Sequence, residues 1–105
     1  MVQERDLPAE ARALVTLMVR GDEAAWNRFV AHYGSCVRDA IRARCSGQGA
    51  SEDLEEIYSQ VLTRLVERDY ALLRNFRWDC SLEPYLSFVA RSECHRYWRR
   101  RFRGP

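Results

Sequence analysis

No stretch of this chain stays apolar for long. The longest uncharged apolar run, Ala13 to Val19, is far short of the roughly 20 residues a membrane-spanning helix requires. No small-residue cleavage site follows a charged start, so no secretory leader is expected and the expected location is cytoplasmic. Glycine and proline are scarce, at five and three residues, which removes collagen-like and mucin-like readings. With 47% hydrophobic and 30% charged residues the chain is too apolar for disorder. Its 105 residues give room for one domain that buries roughly two-thirds of its unfolded surface.

The usual constellations for chemistry are missing too. Gly21, Gly34, Gly47, Gly49 and Gly104 lack the spacing of a phosphate-binding loop. Cys36, Cys45, Cys80 and Cys94 contain no CxxC pair and sit in no secretory context, so free thiols are expected. A zinc site from Cys80, Cys94 and His95 matches no common ligand spacing, and adjacent Cys94 and His95 point to different sides of a helix. The same geometry removes a Cys94 nucleophile served by His95. His32 lies beside an apolar stripe and reads as a surface or half-buried residue. The carboxylates from Glu52 to Glu56 are accounted for by the positive start of a helix. No catalytic residue, metal or cofactor is assigned, and the chain is expected not to be an enzyme.

Lysine is absent altogether: all seventeen basic residues are arginine, against fifteen acids and a net charge of +2. Codon bias in a GC-rich genome is one source of that pattern. The distribution says more, because Arg91 to Pro105 holds six arginines against Glu93, whereas Glu52 to Asp69 holds six acids against Arg64 and Arg68. The chain is acidic in its middle and basic at its end. Arginine forks onto phosphate and stacks on flat rings, so a terminal cluster carrying Tyr97, Trp98 and Phe102 suits a nucleic-acid surface as well as a solvated helix end.

The apolar residues recur at helical spacing, and no strand pattern or repeat is present. Asp6 and Pro8 read as the start of a first helix whose Ala11, Leu14, Val15 and Met18 share a face until Gly21. Asp22 caps a long second helix striped by Trp26, Phe29, Val30, Tyr33, Val37, Ala40 and Ile41, as far as about Arg44. After a loop from Cys45, Ser51 caps a third helix with Leu54, Ile57, Val61, Leu62 and Leu65, expected to fade near Asp69 or run briefly into Tyr70 to Leu73. Arg74 to Cys80 reads as an irregular loop. Ser81 then caps a last helix, with Pro84 tolerated in its first turn and Leu82, Tyr85, Leu86, Val89, Ala90 and Tyr97 along one side. The expected fold is all-α, a small bundle of about four helices.

Two surfaces remain as functional candidates. The third helix presents Glu52, Glu56, Gln60, Thr63 and Glu67, an acidic polar face able to receive a basic helix or to be merely solvated. The second combines Phe76, Arg77, Trp78 and Asp79 with the last helix and Arg91, Arg96, Arg99, Arg100 and Arg101. Rings interleaved with cations are what single-stranded DNA requires, since bases stack on rings while phosphates meet guanidinium groups. Phe76 is expected to plug the end of the bundle, and Trp78 to stay free of it.

The order of these motifs resembles region 2 of bacterial extracytoplasmic-function RNA polymerase sigma factors. The likeness is carried by Gly21-Asp22-x-x-Ala25-Trp26-x-x-Phe29-x-x-x-Tyr33, by Val61-Leu62-Thr63-Arg64-Leu65, by Arg74-Asn75-Phe76 and Ser81-Leu82-x-x-Tyr85-Leu86-x-x-Val89-Ala90-Arg91, and by the closing arginines. It spans Gly21 to Arg101, with residues 1–20 as an N-terminal helix. The resemblance implies a single domain that docks its third helix on the clamp helices of the largest subunit of core RNA polymerase. That domain would read and open the minus-ten promoter element by capturing a flipped base of the non-template strand. Position by position, it implies polymerase docking through Glu56, Ser59, Gln60 and Arg64. It implies DNA contact through Arg64, Phe76, Arg77, Trp78, Asp79, Cys80, Ser81, Tyr85, Arg91, Ser92, Arg96, Arg99, Arg100 and Arg101.

Tyr85 stands where the family usually has tryptophan, and Ser92 where asparagine is frequent. The aspartate-leucine start of the family's third helix falls on Asp53-Leu54 in one frame and on Glu56-Ile57 in another. The second frame is preferred because it aligns Val61, Leu62, Arg64 and Leu65. The family's second domain, a helix-turn-helix, is not in this sequence, and a piece cut at the linker is expected over a free-standing domain. An anti-sigma factor is a further implied partner; a membrane is not. Two alternatives stand beside this reading. One is a sigma-like protein-interaction module, regulator or decoy, without promoter binding, and the other is an enzyme using Cys94 or His95.

Overall fold

A computed structural model describes residues 6–45 and 51–103. They form four helices and no strand: α1 (Asp6–Val19), α2 (Glu23–Arg44), α3 (Ser51–Arg74) and α4 (Leu82–Arg103). The expected all-α bundle is the observed one. Its centre is the packing of α2 on α4, with α1 laid against α2 and α3 against α4. None of the described helices is long and apolar enough to cross a membrane.

Each helix follows from its spacing. Ala11, Val15 and Met18 are buried on α1, while Gly21 takes the left-handed φ of 93° that lets the chain turn sharply. Asp22 then accepts a hydrogen bond from the Ala25 amide at 3.0 Å, satisfying one of the orphan donors of α2. Ala25, Phe29, Tyr33, Val37 and Ile41 run along the buried face of that helix, every third or fourth residue. Gly34 is buried among them, where a Cβ would lie 2.7 Å from the Tyr58 hydroxyl, so its bareness lets α3 come close. α1 begins at Asp6, two residues ahead of Pro8, which puts the proline inside the first turn where no amide partner is lost. The side chains of Asp6 and Pro8, and the loop residues 46–50, lie outside the described ones.

Of the two courses expected for the third helix, the longer is observed: it runs on through Tyr70 to Leu73 and ends at Arg74, but through an unexpected break, in which Glu67 is extended and Arg68, Asp69 and Tyr70 all adopt left-handed conformations, with φ of 54°, 57° and 60°. Such a turn costs L-residues roughly 1–2 kcal/mol each, and none of the three is glycine. Tertiary contacts hold it. Arg74 donates from Nε to the Asp69 carbonyl at 2.7 Å and from Nη2 to the Arg68 carbonyl at 3.2 Å. The Tyr70 ring sits 6.1 Å from Trp26, and Leu73 beyond the break is fully buried. The break redirects the chain so that its last turn delivers the loop to the end of the bundle.

Candidate nucleic-acid interface

The loop from Asn75 to Ser81 is built around stacked rings. Phe76 lies 4.8 Å from Tyr85 in a stacked arrangement and 4.9 Å from Trp78 edge to face. The Tyr85 hydroxyl donates to the Leu72 carbonyl at 3.3 Å, and burial raises its pKa. Phe76 plugs the bundle end, as expected. Trp78 corrects expectation: it is half-buried and packs on the same core rather than standing clear, held by a left-handed φ of 61°. A ring beside one already buried gains by joining it, and short sequence spacing carries no sign of that. Arg77, Asp79, Cys80 and Ser81 are exposed around these rings.

A cavity of about 480 Å³ opens on the other side of the loop. Arg12, Thr16 and Arg20 of α1 face Arg74, Phe76 and Trp78 across it. The α1 residues were absent from the sequence reading. Their signal, arginines on the polar side of a short helix, is indistinguishable from a solvated face until the loop is seen opposite.

The terminal arginines divide into two groups. Arg91, Ser92 and Arg99 lie on the outward side of α4, between Phe88 and Phe102, which are 59% and 78% exposed. Arg100 and Arg101 turn instead to α3: Arg100 donates to Gln60 Oε1 at 2.9 Å, and Arg101 pairs at 3.7 Å with Asp53, which also accepts from the Tyr97 hydroxyl. Arg96 lies 3.8 Å from buried Glu93, whose other oxygen is 3.8 Å from Arg64. Arg64 also reaches Glu67 at 3.7 Å. The implied docking residues Glu56, Ser59, Gln60 and Arg64 do share one side of α3, with Glu56 and Ser59 exposed and Gln60 bonded to Glu56 at 3.4 Å. That face is therefore edged by the end of α4 rather than standing apart from it.

The thiols are free. Cys94 is buried and His95 exposed, on different sides of α4. Cys45 and Cys94 meet in the core with sulfurs 3.9 Å apart, and Trp98 Nε1 donates to Cys45 at 3.2 Å. Burial, and then the neighbouring Cys45, push the Cys94 thiol up to about 12, which keeps it neutral and unreactive. Among the described residues no group of three histidine, cysteine, aspartate or glutamate side chains is placed to hold a metal ion.

Fold and surface define a small all-α bundle with a ring-lined loop at the start of α4 and, at the far end of the same helix, an arginine cluster that meets the acidic side of α3. No family model matches the chain, and neither does any curated protein or solved structure.

Proposed function

We propose that this chain is a region 2-like transcription initiation domain of the cytoplasm, not an enzyme. It docks α3 on the clamp helices of core RNA polymerase and opens the minus-ten promoter element on its loop and α4. The observation that supports the reading is that α4 joins two candidate surfaces: Glu56, Ser59, Gln60 and Arg64 lie along one side of α3 that meets the end of α4 through Arg100, and the start of α4 carries the Phe76–Trp78 loop, with outward Arg91 and Arg99 along the helix between. Guanidinium groups supply salt-dependent grip on phosphates, while the loop supplies base discrimination. An isolated domain of this size binds DNA weakly and gains when polymerase fixes the geometry.

A second reading, a sigma-like interaction module without promoter contact, draws on one observation: Trp78 and Tyr85 are both engaged internally. One experiment separates these readings from a chain that does not touch polymerase. The wild type binds a clamp-helix fragment, and the double variant Gln60→Ala, Arg64→Glu, with unchanged circular dichroism, loses about tenfold or more in affinity, as loss of a charge-assisted contact at an interface predicts. No binding by folded wild type removes polymerase docking. Docking combined with indifference of promoter opening to Trp78→Ala selects the interaction module.

A further inference from the structure

We infer that α1 completes the loop's binding site: the cavity between α1 and the loop holds one nucleotide, its base against Phe76 and Trp78 and its phosphate on Arg12 and Arg20. This rests on the reading of the loop as a single-strand binder, and adds to it a helix and three residues, Arg12, Thr16 and Arg20, that the resemblance does not involve.

Size, chemistry and rigidity agree. The cavity of about 480 Å³ falls within the roughly 300–1,000 Å³ of small-ligand sites. Its floor is apolar, from buried Val15 and Leu73, while its rim carries three guanidinium groups. Arg74 is tied to the backbone of the break, but Arg12 and Arg20 pair with no acid among the described residues, and both are exposed. Two exposed arginines about two helical turns apart, facing two aromatic rings, form a site for an anion joined to a flat ring. Among the described residues no carboxylate lines the cavity, which favours a phosphate there.

Thr16 adds direction. Its hydroxyl donates to the Arg12 carbonyl at 2.9 Å, which leaves its oxygen lone pairs as acceptors. A base bearing an exocyclic amine, adenine or cytosine, finds a partner for it there, whereas thymine has only its ring N3–H to offer. The walls are also set before any ligand arrives, because Arg68 to Tyr70 and Trp78 hold left-handed conformations fixed by tertiary contacts. Strain kept in this way is characteristic of sites whose geometry matters more than their stability.

The test uses the whole chain at low salt with two probes, a short single-stranded DNA carrying 2-aminopurine and free deoxyadenosine monophosphate. In the expected result Arg12→Ala with Arg20→Ala weakens the strand about tenfold and flattens the slope of log affinity against log salt by about 0.7, as one lost single-strand phosphate contact requires. Trp78→Ala weakens it by a similar factor through lost stacking, and Thr16→Val reduces the preference for adenine over thymine in the strand. Far-UV circular dichroism controls for folding, and Arg12, Thr16 and Arg20 are surface positions. If Trp78→Ala weakens binding while the arginine pair and Thr16→Val do not, the α1 site is overturned and the loop reading stands. If folded wild type binds no strand at all, the reading falls and the site with it. Free nucleotide binding as tightly as the strand, with the same dependence on Arg12 and Arg20, supports the site and assigns it to a small-molecule ligand; a free nucleotide that does not compete assigns it to the strand.

Discussion

The α2–α4 half of this molecule and the segment from Glu67 to Ser81 obey opposite rules. In the first, Phe29, Val37, Ile41, Leu86 and Ala90 are buried at helical spacing with Asp22 as the cap, and no residue of either helix has a positive φ. In the second, three successive residues are left-handed, a tryptophan joins them at positive φ, and the arginine that stabilises the turn is itself part of a cavity wall. The regular half lowers the free energy by burial. The irregular segment holds an unfavourable local geometry in place, and it does so where the proposed binding occurs. Stability and the proposed binding thus sit in different parts of one small core.

The largest test of that contrast is Phe29→Ala. Its ring is 1% exposed and in contact with Trp26 and Tyr33, so truncation costs about 3–5 kcal/mol in chemical denaturation, a large share of a small domain's stability. Next comes pH. Burial first, and then nearby Glu83, push the Tyr33 phenol up to about 12 from its ordinary 10.0. The folded protein therefore resists losing that proton: the stabilisation is complete below pH 10 and is lost as pH rises through about 12. Thermal melts across that window show wild type falling by about 2 kcal/mol more than Tyr33→Phe. Tyr70, raised for the same first reason but standing in the break, makes a smaller difference when changed to Phe.

The smallest effect is the sharpest, because it changes sign between the two regions. Asp69→Gly, at φ 57°, relieves a left-handed side chain and stabilises by about 0.5–1 kcal/mol, whereas Ala31→Gly on the exposed side of α2 destabilises by a similar amount. Matched melts of the two variants check the pair, and two losses of equal size would show that the break carries no strain.

Much of the regular half was legible beforehand. The stripe from Trp26 to Ile41 and the cap at Asp22 are local patterns, because a period of 3.6 fixes which residues share a face wherever the helix goes. The candidate site was legible only in part. Phe76 as a plug followed from its place at the bundle end, but Trp78 was expected to stand free and instead packs on Phe76. The left-handed turn at Arg68 to Tyr70 left no mark in the sequence, since neither glycine nor asparagine occupies it and its cause is Arg74, Trp26 and buried Leu73 acting together.

Charge shows the same division. The separation of an acidic third helix from a basic fourth is a property of composition, readable before any fold. Which arginines remain available is not. Arg100 and Arg101 turn to Gln60 and Asp53, Arg96 and Arg64 flank Glu93, and Arg91 and Arg99 face outward, all by virtue of where α3 lies across from α4. Arg12 and Arg20 acquire the loop as a neighbour for the same reason. The sequence by itself determined four amphipathic helices, the cap at Asp22 and the sign of each surface, because these depend on contacts within a few residues. Only the tertiary structure decided the left-handed break, the pairing of the arginines and the cavity beside Trp78, because each depends on what an adjacent helix presents across a gap that spacing along the chain does not encode.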